Sequence, residues 1–373
     1  MAVKQLKDFE EVLYGCRFCP MCKPAAEVAN VTHIESYSTR ARGMLLWRYI
    51  HGMTDLSLRA VELLYQSTLD SISEAWCVNH YPVSSYIVSA RAEVFAKGLA
   101  PKTVLSVLER PLPKPGDIKA ETLLLASEAA ELGDPSLLKP AVSVLEKHGC
   151  RTEVVMMGSG AIEYCLGAIE RAEELARRVC ERISLSGAGR VIADGPQTLW
   201  ALKYVYPILE KRLPEGIVVT SISEEITRRL DKHDGRQKGL KGKKVIYHDS
   251  RSACLLADDM ARDPAIQPGF RGPETTMGTG EVYEAPRRLI DRLGMERIFS
   301  VWTRSLSKSC GADDALWLTY PHLAEKLARK RLSEAREQGA EMIAADSLLC
   351  ASFLSKIRTD SDVEVRWFAE LIG

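Results

Sequence analysis

The sequence predicts an α/β protein in which an all-α N-terminal domain precedes two duplicated α/β modules. Three observations carry that prediction. Residues 1–112 place apolar side chains at helical spacing, as in "SLRAVELLYQSTLDSISEAW", where positions three and four apart share a face. Beyond the proline-rich break "PLPKPGD" (111–117), short apolar strands alternate with amphipathic helices, the pattern of α/β units. Finally, "AEELARRVCERISLSGAGRVIAD" (172–194) parallels "AEKLARKRLSEAREQGAEMIAAD" (324–346) without a gap. A self-match of that length indicates duplication.

The elements follow in order. The first module is expected over 117–212, with strands in "ETLLLAS", "TEVVMMG" and "GRVIAD" and helices in "LKPAVSVLEKHG" and "AEELARRVCERI". The second is expected over 213–373, with strands in "KKVIYHD", "RIFSVW" and "EMIAAD" and helices in "APRRLIDRLG" and "LAEKLARKRLSEA". The repeat pairs Ala172 with Ala324, Leu175 with Leu327, Gly187 with Gly339 and Asp194 with Asp346. One gap then pairs Gly158 with Gly311, and "ETLLLAS" with "KKVIYHD".

Composition narrows the function classes. At 373 residues and 46% hydrophobic content the chain exceeds one ordinary domain and can bury real cores. It has no run of eighteen apolar residues, so no transmembrane segment is expected, while peripheral membrane association stays open. The start "MAVKQLKDFEE" lacks the apolar stretch of a signal peptide, and a cytoplasmic location is expected. The 50 basic and 50 acidic side chains cancel, which argues against a nucleic-acid partner. Ten cysteines are too sparse for a disulfide scaffold and are candidate ligands, redox groups or core residues.

The stretch "CRFCPMC" holds Cys16, Cys19 and Cys22, each separated from the next by two residues. The bacterial ferredoxin run is C-x₂-C-x₂-C-x₃-C-P, and in two-cluster ferredoxins its fourth cysteine ligates the other cluster. Here the fourth position is Ala26, and Cys77 is the one further cysteine before residue 150. Counting back from Cys77 places Ser67, Asp70 and Ser73 at the positions of a second triad. One complete cubane set therefore survives (Cys16, Cys19, Cys22, Cys77), and the other (Ala26, Ser67, Asp70, Ser73) is erased. A structural zinc held by the same four thiolates is the alternative.

At these residues the chain resembles the iron–sulfur subunits of glycolate oxidase, anaerobic glycerol-3-phosphate dehydrogenase and heterodisulfide reductase. The segment "HIESYSTRARGMLL" (33–46) is similar to the one that follows their first ferredoxin motif, and "SKSCGADDALWLTYPHLAEKLARKRLSEAREQGAEMIAADSLLC" is similar to their second CCG module. The resemblance implies a ferredoxin-like helical domain joined to two CCG modules. Each module would carry a lone cysteine after its first strand, a Cys-Cys-Gly and a C-x-x-C, and such cysteines hold an iron–sulfur centre or zinc.

This chain departs from that pattern. In the first module Ser127 stands for the lone cysteine, "MMG" (156–158) for Cys-Cys-Gly, and Gly195 and Thr198 for the final pair. Met156 and Met157 are expected as apolar fillers, because a thioether is a poor ligand for iron. In the second module Arg251 replaces the lone cysteine, with Cys254 three residues on; Ser309 precedes Cys310, and Ser347 precedes Cys350. Cys254, Cys310 and Cys350 form a second, sparser candidate metal site. Cys150, Cys165 and Cys180 are expected in the core. His248 and Asp249 read either as an acid–base pair or as residues that fix a loop. Arg40 and Arg42 read either as solvated helix charges or as donors to a cluster or a partner. No G-x-G-x-x-G follows a strand, so no nucleotide site and no catalytic residue is assigned. By resemblance the chain is expected to be an electron-transfer subunit with one [4Fe–4S] cluster, serving a partner subunit that carries FAD. A disulfide-reductase subunit and a non-redox scaffold with a structural metal are the alternatives.

Overall fold

The computed structural model describes residues 4–16, 19–69, 71–77, 81–114, 116, 118–230, 240–260 and 280–373. Up to Leu108 the described elements are all helical, among them α1 (Thr39–Ile50) and α2 (Val83–Ala96). Ser38 caps α1 by accepting from the Ala41 amide at 3.3 Å, and Ser57 caps the helix Leu58–Tyr65 in the same way. A serine oxygen at that position satisfies an amide that has no partner within the helix.

Two four-stranded parallel sheets follow. The first comprises β1 (Thr122–Leu125), β2 (Glu153–Val155), β3 (Arg190–Ala193) and β4 (Val218–Ser221), in the order β2-β1-β3-β4. The second comprises β5 (Lys244–His248), β6 (Glu296–Arg297), β7 (Met342–Ala345) and β8 (Glu364–Trp367), in the order β6-β5-β7-β8. The shared order matches the duplication read from the sequence. One boundary shifts: residues 218–221, expected in the second module, pair with β3 and complete the first sheet. The repeated helices are α3 (Ile169–Ser186) and α4 (Pro321–Glu337). Both are followed by a glycine in the left-handed region, Gly187 at φ 71° and Gly339 at φ 78°, a conformation that favours glycine at a helix end.

Alternation along β1 sends Leu123 and Leu125 into a core shared with the N-terminal helices, and Leu124 into one shared with the second module. The first sheet is thus covered on both faces, as parallel sheets are. Arg91 on α2 fastens the helical region to the first module. It is fully buried and donates to the carbonyls of Leu64, Tyr65, Ser67 and Cys165 at 2.7–3.3 Å.

The repeat also corrects one pairing. A Cβ at Gly160 would meet Ala172, and one at Gly311 would meet Ala324. Ala172 and Ala324 are equivalent, so Gly160, not Gly158, is the counterpart of Gly311. Strand register extends the correspondence. Leu125 lies opposite Ala193 and His248 opposite Ala345, which makes His248 the counterpart of Leu125 and Arg251 that of Glu128. Ser127 and Arg251, assigned to one module position from sequence, are therefore offset by one.

Candidate metal centres

Among the described residues no three of the four sulfurs in the first set lie within 4.8 Å of one another, but Cys16, Cys22 and Cys77 all bear on the ionisation of Tyr81. Its phenol is buried, and burial together with the sulfurs of Cys16, Cys77 and Cys22 pushes its pKa upward. The Leu13 carbonyl accepts both the Tyr81 hydroxyl at 3.2 Å and the Cys16 amide at 3.4 Å, so one acceptor holds the start of the cysteine loop against the ring. Asn30 clamps the other end, donating from Nδ2 to the Lys23 and Pro24 carbonyls at 3.1 and 3.0 Å. Gly43 makes room: a Cβ there would lie 2.8 Å from the Tyr81 oxygen. Cys19 is exposed, while Cys16, Cys22 and Cys77 are half-buried. Phe18, Asp70 and Val78 lie outside the described residues.

The erased set is filled. Ala26, Ser67 and Ser73 are buried, and Ser73 accepts a 2.8 Å hydrogen bond from Thr39. Glu27 accepts from Thr68 at 3.0 Å and from the Ser309 amide, which ties this region to the second module. Arg42 is neither solvated nor free for a partner. It is buried and donates to the carbonyls of Tyr37, Leu63 and Gln66. Arg40 pairs with Glu35 at 2.8 Å on the surface.

In the second module the structure brings together a set that sequence reasoning only half found. A ring nitrogen of His248 and the sulfurs of Cys310 and Cys350 lie within 4.8 Å of one another, all buried. His248 ends β5, Cys310 lies in the loop before α4, and Cys350 sits in α5 (Leu348–Ile357). Neither ring nitrogen of His248 has a hydrogen-bond partner among the described residues. Burial, with a smaller effect from the Arg331 charge, lowers its pKa to about 3, so the imidazole is neutral. The Cys350 thiol is pushed well up by burial, by its hydrogen bond with Cys310 and by Asp313. Asp313 Oδ1 lies 3.3 Å from the Cys350 sulfur, and its Oδ2 accepts from the Ser252 amide at 3.2 Å.

Cys254, expected as the third member, lies apart and donates its thiol to the Arg304 carbonyl at 2.9 Å. The acid–base reading of His248 and Asp249 also gives way. Asp249 is bound by Arg287 at 3.0 and 2.7 Å, by Thr303 and by the Arg304 amide, so it fixes the 303–304 loop. Arg251 reaches across to the first module, 3.6 Å from the buried Cys165 sulfur, with its guanidinium 5.4 Å from the Trp200 ring centre. Met157 is buried and Met156 half-buried in apolar surroundings. Cys150 and Cys165 are buried and Cys180 half-buried.

No family model and no curated protein matches the chain. A crystal structure of a hypothetical protein from Helicobacter pylori is similar, with a TM-score of 0.54 at 12% identity over 98% of this chain and 74% of that one. At that identity the likeness concerns the fold alone.

Proposed function

We propose that this chain is an iron–sulfur electron-transfer subunit whose one [4Fe–4S] cluster is held by Cys16, Cys19, Cys22 and Cys77. The observation that carries this reading is the 3.2 Å hydrogen bond from Tyr81 to the Leu13 carbonyl, which also accepts the Cys16 amide and so brings the Cys77 end of the helical region to the start of the cysteine loop, although Cys77 lies far from Cys22 in the chain. When bound, such a cluster supplies one-electron transfer at a potential set by hydrogen bonding and solvent exposure. The chain's own residues set those two conditions: Leu13, Asn30 and Tyr81 fix the loop, and Cys19 meets the surface.

A one-electron carrier selects no substrate, so the substrate chemistry belongs to a partner. By resemblance that partner is a FAD-binding subunit of the hydroxy-acid oxidase kind. Exposed Tyr14, just before the cysteine loop, and Met21, within it, offer apolar contact area there. The disulfide-reductase alternative needs reachable thiols in the α/β modules, whereas Cys310 and Cys350 are 1% and 0% exposed. The test is co-purification from native cells. A FAD-containing complex is expected, in which flavin photoreduction bleaches the cluster absorbance. A chain that runs alone and takes electrons from no flavoprotein overturns the reading.

A further inference from the structure

We infer that the second module binds one zinc ion through His248, Cys310, Cys350 and the carboxylate of Asp313. The two halves of the repeat make the argument. At the positions equivalent to His248, Cys310 and Cys350 the first module carries Leu125, Ser159 and Thr198. Those side chains are settled: Leu125 is core, Thr198 donates to Asp194 at 2.8 Å, and the Ser159 hydroxyl lies 3.4 Å from Glu128. In the second module the same three positions hold an imidazole and two thiols, and the imidazole has no partner among the described residues.

A fully buried imidazole with neither nitrogen satisfied is uncommon, because desolvation without a hydrogen bond is costly. The recess that His248 lines with Ser300, Arg331 and Glu334 measures about 10 Å³, room for one water at most, and neither cysteine lines it. Ligand chemistry accounts for the imidazole. Two thiolates, one neutral imidazole and one carboxylate are the donor types of four-coordinate zinc. Bonds of about 2.0–2.3 Å in a tetrahedron place ligand atoms roughly 3.3–3.8 Å apart, so His248, Cys310 and Cys350, within 4.8 Å of one another, need only small movements, whereas Asp313, outside that group but 3.3 Å from the Cys350 sulfur, must turn inward to complete the shell. The Ser252 amide already orients Asp313, as outer partners of metal ligands do. Uptake releases the two thiol protons, and the buried position makes it part of folding. The ion is independent of the cluster proposed at Cys16–Cys77.

The test is zinc-edge X-ray absorption on the full chain, expressed with zinc in the medium, alongside zinc and iron quantification. The expected result is about one zinc per chain, with a first shell of two sulfurs near 2.3 Å and two lighter atoms near 2.0 Å. His248→Ala should lower zinc at least tenfold and leave iron unchanged, and His248→Cys should restore it with a third sulfur in the shell. Cys77→Ala should keep the zinc. A wild-type chain without zinc, or one whose zinc shows four sulfurs and disappears with Cys77→Ala, overturns the assignment.

Discussion

Replacing Gly311 by alanine should destabilise the protein by about 2–5 kcal/mol, and replacing Gly160 by alanine should cost clearly less. Both glycines have positive φ, 89° and 78°, so an alanine pays about 1–2 kcal/mol of backbone strain at either. The surroundings differ. A Cβ on Gly311 would lie 2.7 Å from Ala324 Cα, 2.9 Å from its oxygen and 3.0 Å from its Cβ. Those atoms are backbone or rigidly attached to it, and carbon atoms prefer about 3.5–4.0 Å, so overpacking adds about 1–3 kcal/mol. A Cβ on Gly160 would sit 3.4–3.5 Å from Ala172 O and Leu175 Cβ, ordinary contact, which leaves the strain alone. Urea unfolding of both variants, compared at constant m, reads the difference. A Gly160→Ala chain as unstable as Gly311→Ala, or two chains within about 0.5 kcal/mol of wild type, would refute the packing argument and the pairing of the two glycines.

Three other outcomes follow from the same contacts. Cys77→Ala should abolish visible absorbance and loosen the helical region, since cluster binding and folding are coupled, while Cys165→Ala, 0% exposed in the core, should leave the spectrum unchanged; a full spectrum from Cys77→Ala would place the fourth ligand elsewhere. Arg91→Met, which strands the carbonyls of Leu64, Ser67 and Cys165, should cost about 3 kcal/mol or more and speed proteolysis near residues 110–120, and an unaltered cleavage rate would contradict the fastening role. Burial, aided by Glu224 and Asp194, raises Asp346 to about 7, so the folded chain holds a proton that the unfolded chain releases near pH 4. That contribution is fully present below about pH 4 and is lost as pH rises through about 7, at up to about 1.4 kcal/mol per pH unit. Asp346→Asn should flatten the decline in urea stability between pH 5 and 7.5, and an unchanged slope would exclude Asp346 as its source.

Much of this architecture is legible in the sequence because duplication writes the same pattern twice. Six of the eight described strands, α3, α4 and their terminal glycines follow from period and repeat alone, whereas β4 and β8 are not legible as strands. The features that escape are those decided by distant packing. "MMGSG" offers glycines at two spacings, and only contact with Ala172 selects Gly160. Residues 218–221 read as the start of a new module until pairing with β3 places them. His248 and Asp249 are neighbours in sequence, yet His248 ends β5 and Asp249 opens the loop beyond it, so one meets two thiols and the other meets Arg287. Arg42 and Arg91 look like surface charges because their carbonyl acceptors lie 5–74 residues away. Gly43 within α1 is the one sequence signal for Tyr81, since a glycine inside a helix often marks close packing.

The central claim is one cubane on the intact cysteine set, and iron analysis of the anaerobically purified chain with EPR after dithionite reduction tests it most directly. About four irons per chain and one paramagnetic centre, both lost in Cys77→Ala, are the predicted result. About eight irons would show a second cluster on the erased set. A chain that carries zinc at Cys16–Cys77 and stays EPR-silent would contradict the claim outright.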